Sequence, residues 1–193
     1  MSDRGPSPPG ATESATPANH GYYFDTGVGR WRGVFTFQIT DWWAFLDDRI
    51  GPVNRFLVLA MALTMRLVGE ATITSVLEGY PDEEPAGVVT NEVRITLFGI
   101  TLYLLDERYV MHPDGRGVTV DSHERFGPIP YLFTVDKAHP AEVVEDGRHA
   151  VYYMPLLGTD WVGNYRVVDG GDRIESVLSC DWAEGTEVIE RVG

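Results

Sequence analysis

The sequence predicts a mainly β fold, an antiparallel barrel with two helices inserted after its first strand. Three observations carry that expectation. Trp31, Gly33, Phe35, Phe37 and Ile39 alternate with Arg32, Val34, Thr36 and Gln38, the two-residue period of a half-buried strand. Two apolar stretches with helix-start residues follow, between Asp41 and Gly69. Beyond Gly69 the chain breaks into seven or eight strand-length runs separated by turn-forming groups, the pattern of a closed or nearly closed antiparallel barrel.

Each element has its local reason. "MSDRGPSPPGATESATPANH" (residues 1–20) lacks both a charged start and an apolar core, so it does not read as a signal peptide. Its Pro, Ser, Thr and Ala content predicts a disordered tail, leaving residues 21–193 as a single barrel domain. After the first strand, Thr40 or Asp41 can cap a helix through "DWWAFLDDRIG", and Pro52 opens a second helix that ends near Gly69. The runs that follow are "ATITSVLEG", "VVTNEVRITLFG", "TLYLLDERYVM", "GVTVDSHERFG", "HAVYYMPLL", "WVGNYRVV", "RIESVLSC" and "TEVIERV". "PDEEPAG", "HPDGRG" and "DGGD" mark turns between them. "FGPIPYLF", with two prolines, reads as a rim loop in which Tyr131 is a candidate ligand contact.

Composition removes several function classes. The 193 residues carry a formal net charge of −14, which disfavours a nucleic-acid partner, since that binding needs Lys and Arg to replace counterions. Lys137 is the single lysine beside fourteen arginines. An acidic, hydrated, halophilic surface accounts for this balance, and a GC-rich genome would produce the same arginine bias. Cys180 stands alone, so no intramolecular disulfide or cysteine zinc cluster forms, and a small buried hydrophobe is its expected role. The uncharged stretch Phe56 to Met65 is about half the ~20 residues of a spanning helix, so no transmembrane span is expected. Core packing is favoured for the helical pair, with a ligand lid or peripheral membrane contact as the alternatives. The expected location is cytoplasmic, and the oligomeric state is left open. His112, His123, His139 and His149 match no metal-ligand spacing, so no metal and no cofactor are expected. A haem with His123 or His149 as axial ligand is the weaker alternative.

Gly27, Gly29 and Gly33 raise the question of a phosphate-cradling loop. Their spacing misses GxGxxG by one residue, and "VFTFQI" behind them is a strand with no helix terminus to receive phosphate. The nucleotide interpretation falls, and the glycines flank Trp31 at the head of a strand instead.

The hairpin "TLYLLDERYVMHPDGRGVTVDSHERFG" permits a test of register by charge. With Met111 opposite Val118, Tyr109 faces Val120, Glu107 faces Ser122, Leu105 faces Glu124 and Tyr103 faces Phe126. Arg108 then faces Asp121 and Asp106 faces His123, so opposite charges meet on the solvent side. The inward face carries Tyr103 and Tyr109 together with two carboxylates, Glu107 and Glu124. Burial and mutual repulsion should raise the pKa of at least one of them. They are candidates to anchor a ligand hydroxyl or amine, or to form an acid/base pair. The plainer expectation is an ion pair with an internal arginine, for which Arg94 is the candidate.

A family resemblance rests on the two ends of the chain. Gly29-Arg30-Trp31 is similar to the G-x-W signature that opens lipocalins and their calycin relatives. Thr159-Asp160-Trp161, the Gly170–Arg173 turn and Leu178-Ser179 resemble the closing region of bacterial-type lipocalins, where a helix follows. The family's arginine after the L-S pair is here Cys180, and Arg191 or Arg166 would have to supply the cation that packs on Trp31. The helices after the first strand are similar to those of the fatty-acid-binding branch, which serve as a lid. The resemblance implies a lipocalin-like barrel that binds one small hydrophobic molecule, lipid-like or isoprenoid-like, without catalysis, with Trp31 and Arg191 as structural barrel closure. Two alternatives stand: an isomerase or lyase on a barrel or helix-grip fold using Glu107 and Glu124 for proton transfer, and a structural protein with a filled core.

Overall fold

The computed structural model describes residues 18–126, 133–144, 147–156 and 159–193, with the backbone alone at 126, 133–139 and 155–156. Ten antiparallel strands follow one another around the sheet, and it closes where the first pairs with the last. They are β1 Gly29–Ile39, β2 Ala71–Tyr80, β3 Val88–Leu97, β4 Ile100–Met111, β5 Gly117–Phe126, β6 Phe133–Val143, β7 His149–Leu156, β8 Thr159–Val168, β9 Arg173–Ser179 and β10 Ala183–Arg191. The helices are α1 Ala18–His20, which runs into a π-helical turn over Gly21–Gly27, then α2 Trp42–Asp47 and α3 Pro52–Val68. The mainly β, antiparallel barrel with two helices after its first strand is thus the observed fold.

The period-two pattern of β1 has the expected outcome: Trp31 and Phe37 are buried in the core. Gly33 answers a need of barrel closure. A Cβ there would lie 1.8 Å from the carbonyl oxygen of Val188 on β10, so the two strands cross too closely for any side chain. The helix signals act as read. Asp41 caps α2 by accepting hydrogen bonds from the backbone N–H groups of Trp43 and Ala44, Pro52 opens α3, and Gly69 ends it at φ 85°.

Three expectations need correction. "FTVDKAHPAEV" forms β6, although Pro140 and its charged neighbours hide the strand pattern. Pro140 sits opposite Thr119, and β6 continues to β7 through Ala141, Glu142 and Val143. The chain closes on β10 rather than on the helix implied after Leu178-Ser179, which also removes the helix-grip alternative. Ala18–His20, at the end of the presumed tail, is a helical turn with Asn19 buried.

That N-terminal segment seals one end of the barrel. Trp31 is 1% exposed and donates its indole N–H to the carbonyl of Gly27 at 2.8 Å. The Arg191 guanidinium lies over the Trp31 ring, 4.4 Å from its centroid. It also donates to the carbonyls of Val28, Thr26 and Gly171, and ion-pairs with Asp172. Gly29, at φ 144°, leaves room for this arginine: a Cβ would come within 2.5 Å of its Nη1. Arg191 is therefore the cation at the closed end, in the place the resemblance leaves to Arg191 or Arg166.

Helices α2 and α3 sit at the other end, with α3 packed against β1. Asp48, just after α2, accepts hydrogen bonds from Thr159 at 2.6 Å and from the Trp182 indole. Burial pushes its carboxyl up, but those two hydrogen bonds, with the Arg49 backbone N–H and the charge of Arg55, hold it below the usual value. Phe45, fully buried, stacks edge-on to Trp182, which in turn meets Trp161. Core packing describes only part of this pair. Phe45, Val58, Ala62 and Met65 are buried, whereas Trp43, Phe56, Leu63 and Leu67 are exposed. No described helix is long and apolar enough to cross a membrane.

Candidate functional site

The interior of the barrel holds a cavity of about 530 Å³ that is partly open to solvent, so the core is not filled. A volume in this range suits a single ligand of modest size. Its roof is α3, from which Leu57, Met61 and Thr64 reach the cavity and the largely exposed Phe56 also borders it. Its walls are mostly aliphatic and aromatic, and its floor carries Tyr22 and Tyr23 from the N-terminal turn. Tyr23 and Tyr152 share a hydrogen bond through their hydroxyls, and Tyr23 packs on Tyr109 with ring centroids 5.0 Å apart.

The β4–β5 hairpin has the register derived from charge, from Tyr103 opposite Phe126 to Met111 opposite Val118. Arg108 stands opposite Asp121 and Asp106 opposite His123 on the outside, where Asp106 ion-pairs with Arg125. Glu107, Glu124, Tyr103 and Tyr109 all line the cavity. Arg94 does not join them. Alternation along β3 sends Asn91, Val93 and Ile95 to the cavity and Arg94 outward, where it pairs with Glu92 at 3.0 Å. Tyr131 lies outside the described residues.

Neutral donors surround Glu107. Its Oε2 accepts from the Tyr109 hydroxyl and from Asn91 Nδ2 at 3.0 Å, and Asn91 Oδ1 accepts from Ser75 at 2.7 Å. Burial raises its pKa to about 7, and the nearby charge of Glu124 adds to the rise, against the two hydrogen bonds. Glu124 is 4% exposed and hydrogen-bonds Tyr103.

A third carboxylate, Glu187 on β10, escaped the sequence analysis. Its Oε2 accepts from Ser176 at 3.1 Å, and burial, with the charge of Glu107 behind it, raises its pKa to about 7. The signal was present: Gly185, Glu187 and Ile189 alternate with outward residues, so an inward Ile189 requires an inward Glu187. Tyr22, Tyr23 and Asn91 were missed as well. The two tyrosines precede the first strand, and nothing local tells that the chain there turns under the barrel.

The cavity surface combines wide apolar contact with a few buried acids and hydroxyls, the composition of a site in which shape and a few polar groups would orient an amphipathic molecule. No Arg, Lys or His is among the described side chains that line it. Among the described residues, no group of three His, Cys, Asp or Glu side chains is placed to hold a metal ion. Comparison with family models, with curated proteins and with solved structures finds no match for this chain.

Proposed function

We propose that this chain is a lipocalin-like carrier or sensor that binds one small hydrophobic molecule, lipid-like or isoprenoid-like, inside its barrel and releases it unchanged. The observation that carries this is the cavity of about 530 Å³ between the Tyr22–Tyr23 floor and a helical roof. The Trp31–Arg191 stack at the closed end supports the calycin part of the proposal, since it joins a G-x-W tryptophan to a cation from the last strand.

Mass spectrometry of the denatured protein, purified in high salt, tests it, together with titration by the uncharged fluorophore N-phenyl-1-naphthylamine. A stoichiometric apolar compound, or saturable enhancement of the fluorophore, is the expected result. A folded protein that carries nothing and binds no apolar probe would overturn it.

One observation favours proton transfer as a second reading. Glu107, with a pKa raised to about 7 and a tyrosine hydroxyl on its carboxylate, is suited to exchange a proton near neutrality, with Glu124 beside it. Turnover of a bound compound that vanishes in Glu107→Gln would establish this reading over simple carriage.

A further inference from the structure

The polar end of the cavity has acceptors with no donor among the described residues. Both hydrogen bonds to Glu107 go to Oε2, and so does the one to Glu187. Oε1 of each carboxyl therefore has no donor among the described residues, and both carboxyls line the cavity. Tyr22 lines the same space at 4% exposure, and its hydroxyl makes no hydrogen bond to any described residue. Its ring is fixed edge-on to Tyr23, with centroids 4.8 Å apart. Tyr22 feels the charge of Glu187, and Glu187 feels that of Glu107, so the three groups form one electrostatic cluster.

We propose that the cavity selects an apolar molecule bearing a basic amine, whose ammonium group is received by Glu107 Oε1, Glu187 Oε1 and the Tyr22 hydroxyl. The proposal rests on the binding function above and names its ligand class. An alkylammonium offers three donors and no acceptor, which matches three vacant acceptors. It also brings the positive charge that the neutral donors around Glu107 and Glu187 do not supply, and charge-assisted hydrogen bonds are the stronger kind. An alcohol offers one donor and no charge. A carboxylate would add a further negative charge to a cluster that already repels itself.

Among the described residues, the titratable groups facing Glu107 are Glu124, Tyr103, Tyr109, Tyr23, Tyr165 and Glu187, and those facing Glu187 are Glu107, Tyr22 and Tyr165. On β6, Lys137 holds the register position opposite Ser122, and its side chain lies outside those described. With both carboxyls titrating near neutrality, ammonium binding at about pH 6 must expel protons.

The test displaces N-phenyl-1-naphthylamine with decylamine, decan-1-ol and decanoate at about pH 8. Decylamine should bind about tenfold more tightly than the alcohol, with decanoate weakest. In the double variant Glu107→Gln, Glu187→Gln, the amine advantage should fall to within about threefold while alcohol binding persists. Calorimetry of the wild-type protein at about pH 6, in two buffers of different ionisation enthalpy, should show proton release with decylamine and none with decan-1-ol. This readout does not depend on the variants folding. Equal affinity for amine and alcohol, tighter binding of decanoate, or an amine advantage that survives in the double variant would overturn the proposal and leave the binding function standing. If the fluorophore and all three compounds fail to bind, both fall together.

Discussion

Glu107 shows how a buried acid can oppose the fold that holds it. Its folded pKa of about 7 exceeds the ordinary 4.5, so the native state holds more protons than the unfolded state between those values. Stability from this group is therefore fully present below about pH 4.5 and is lost as the pH rises through about 7. Glu107→Gln keeps an acceptor for Tyr109 and Asn91 but removes the charge. Its thermal midpoint should exceed the wild-type value at pH 8, reflecting a gain in stability of at most about 3 kcal/mol, and the gap should close towards pH 5. Melting curves across that range decide the matter, and a variant less stable at pH 8 would contradict the assignment. Asp48 has the opposite sign. Its lowered pKa contributes stability at neutral pH that disappears on acidification through the folded value, when Thr159 and Trp182 lose their anionic acceptor.

At the scale of elements, β1 is the strand on which closure depends, because it pairs with both β2 and β10. Gly33→Ala would drive a methyl group into the Val188 carbonyl at 1.8 Å. The strands must separate to admit it, and the expected loss is at or beyond the top of the ~1–3 kcal/mol range for overpacking, read from the urea midpoint. An unshifted midpoint would mean that β1 and β10 do not cross so tightly. The β4–β5 hairpin was legible in the sequence because its outer face pairs charges, which fixes the register and with it the inward carboxylates. β6 was not, since Pro140 and alternating charge mask its period. Glu187 is legible only through the period of β10, which puts it on the inward face of Ile189, and no motif or charge pairing marks it. Arg94 shows the same rule from the other side, since its place between inward Val93 and Ile95 already requires it to point out.

The whole molecule carries a net charge of −14, and repulsion among like charges works against a compact state. Raising sodium chloride from about 0.05 M to about 1 M shortens the screening length to about 3 Å, so the thermal midpoint should rise by several degrees at constant pH. A midpoint indifferent to salt would show that the acidic surface is spaced widely enough not to strain the fold. The barrel topology and the two helices could be read from periodicity and caps. The hollow interior could not, because a cavity depends on how side chains from many strands fail to fill a common space.

The aromatic seam between roof and barrel has an optical consequence. Trp161 and Trp182 lie 5.4 Å apart with their rings at 82°, and both are nearly fully buried. Trp161 borders the cavity, while Trp182 grips Asp48 at the foot of α2. Two indoles at that spacing and angle couple their transitions, so the pair forms a chiral chromophore at the junction of pocket and roof. Trp42 and Trp43, outside on α2, have no such neighbour among the described indoles. Occupancy of the barrel and displacement of the roof would each alter the same circular-dichroism couplet, giving the unlabelled protein its own spectroscopic gauge of whether it is full.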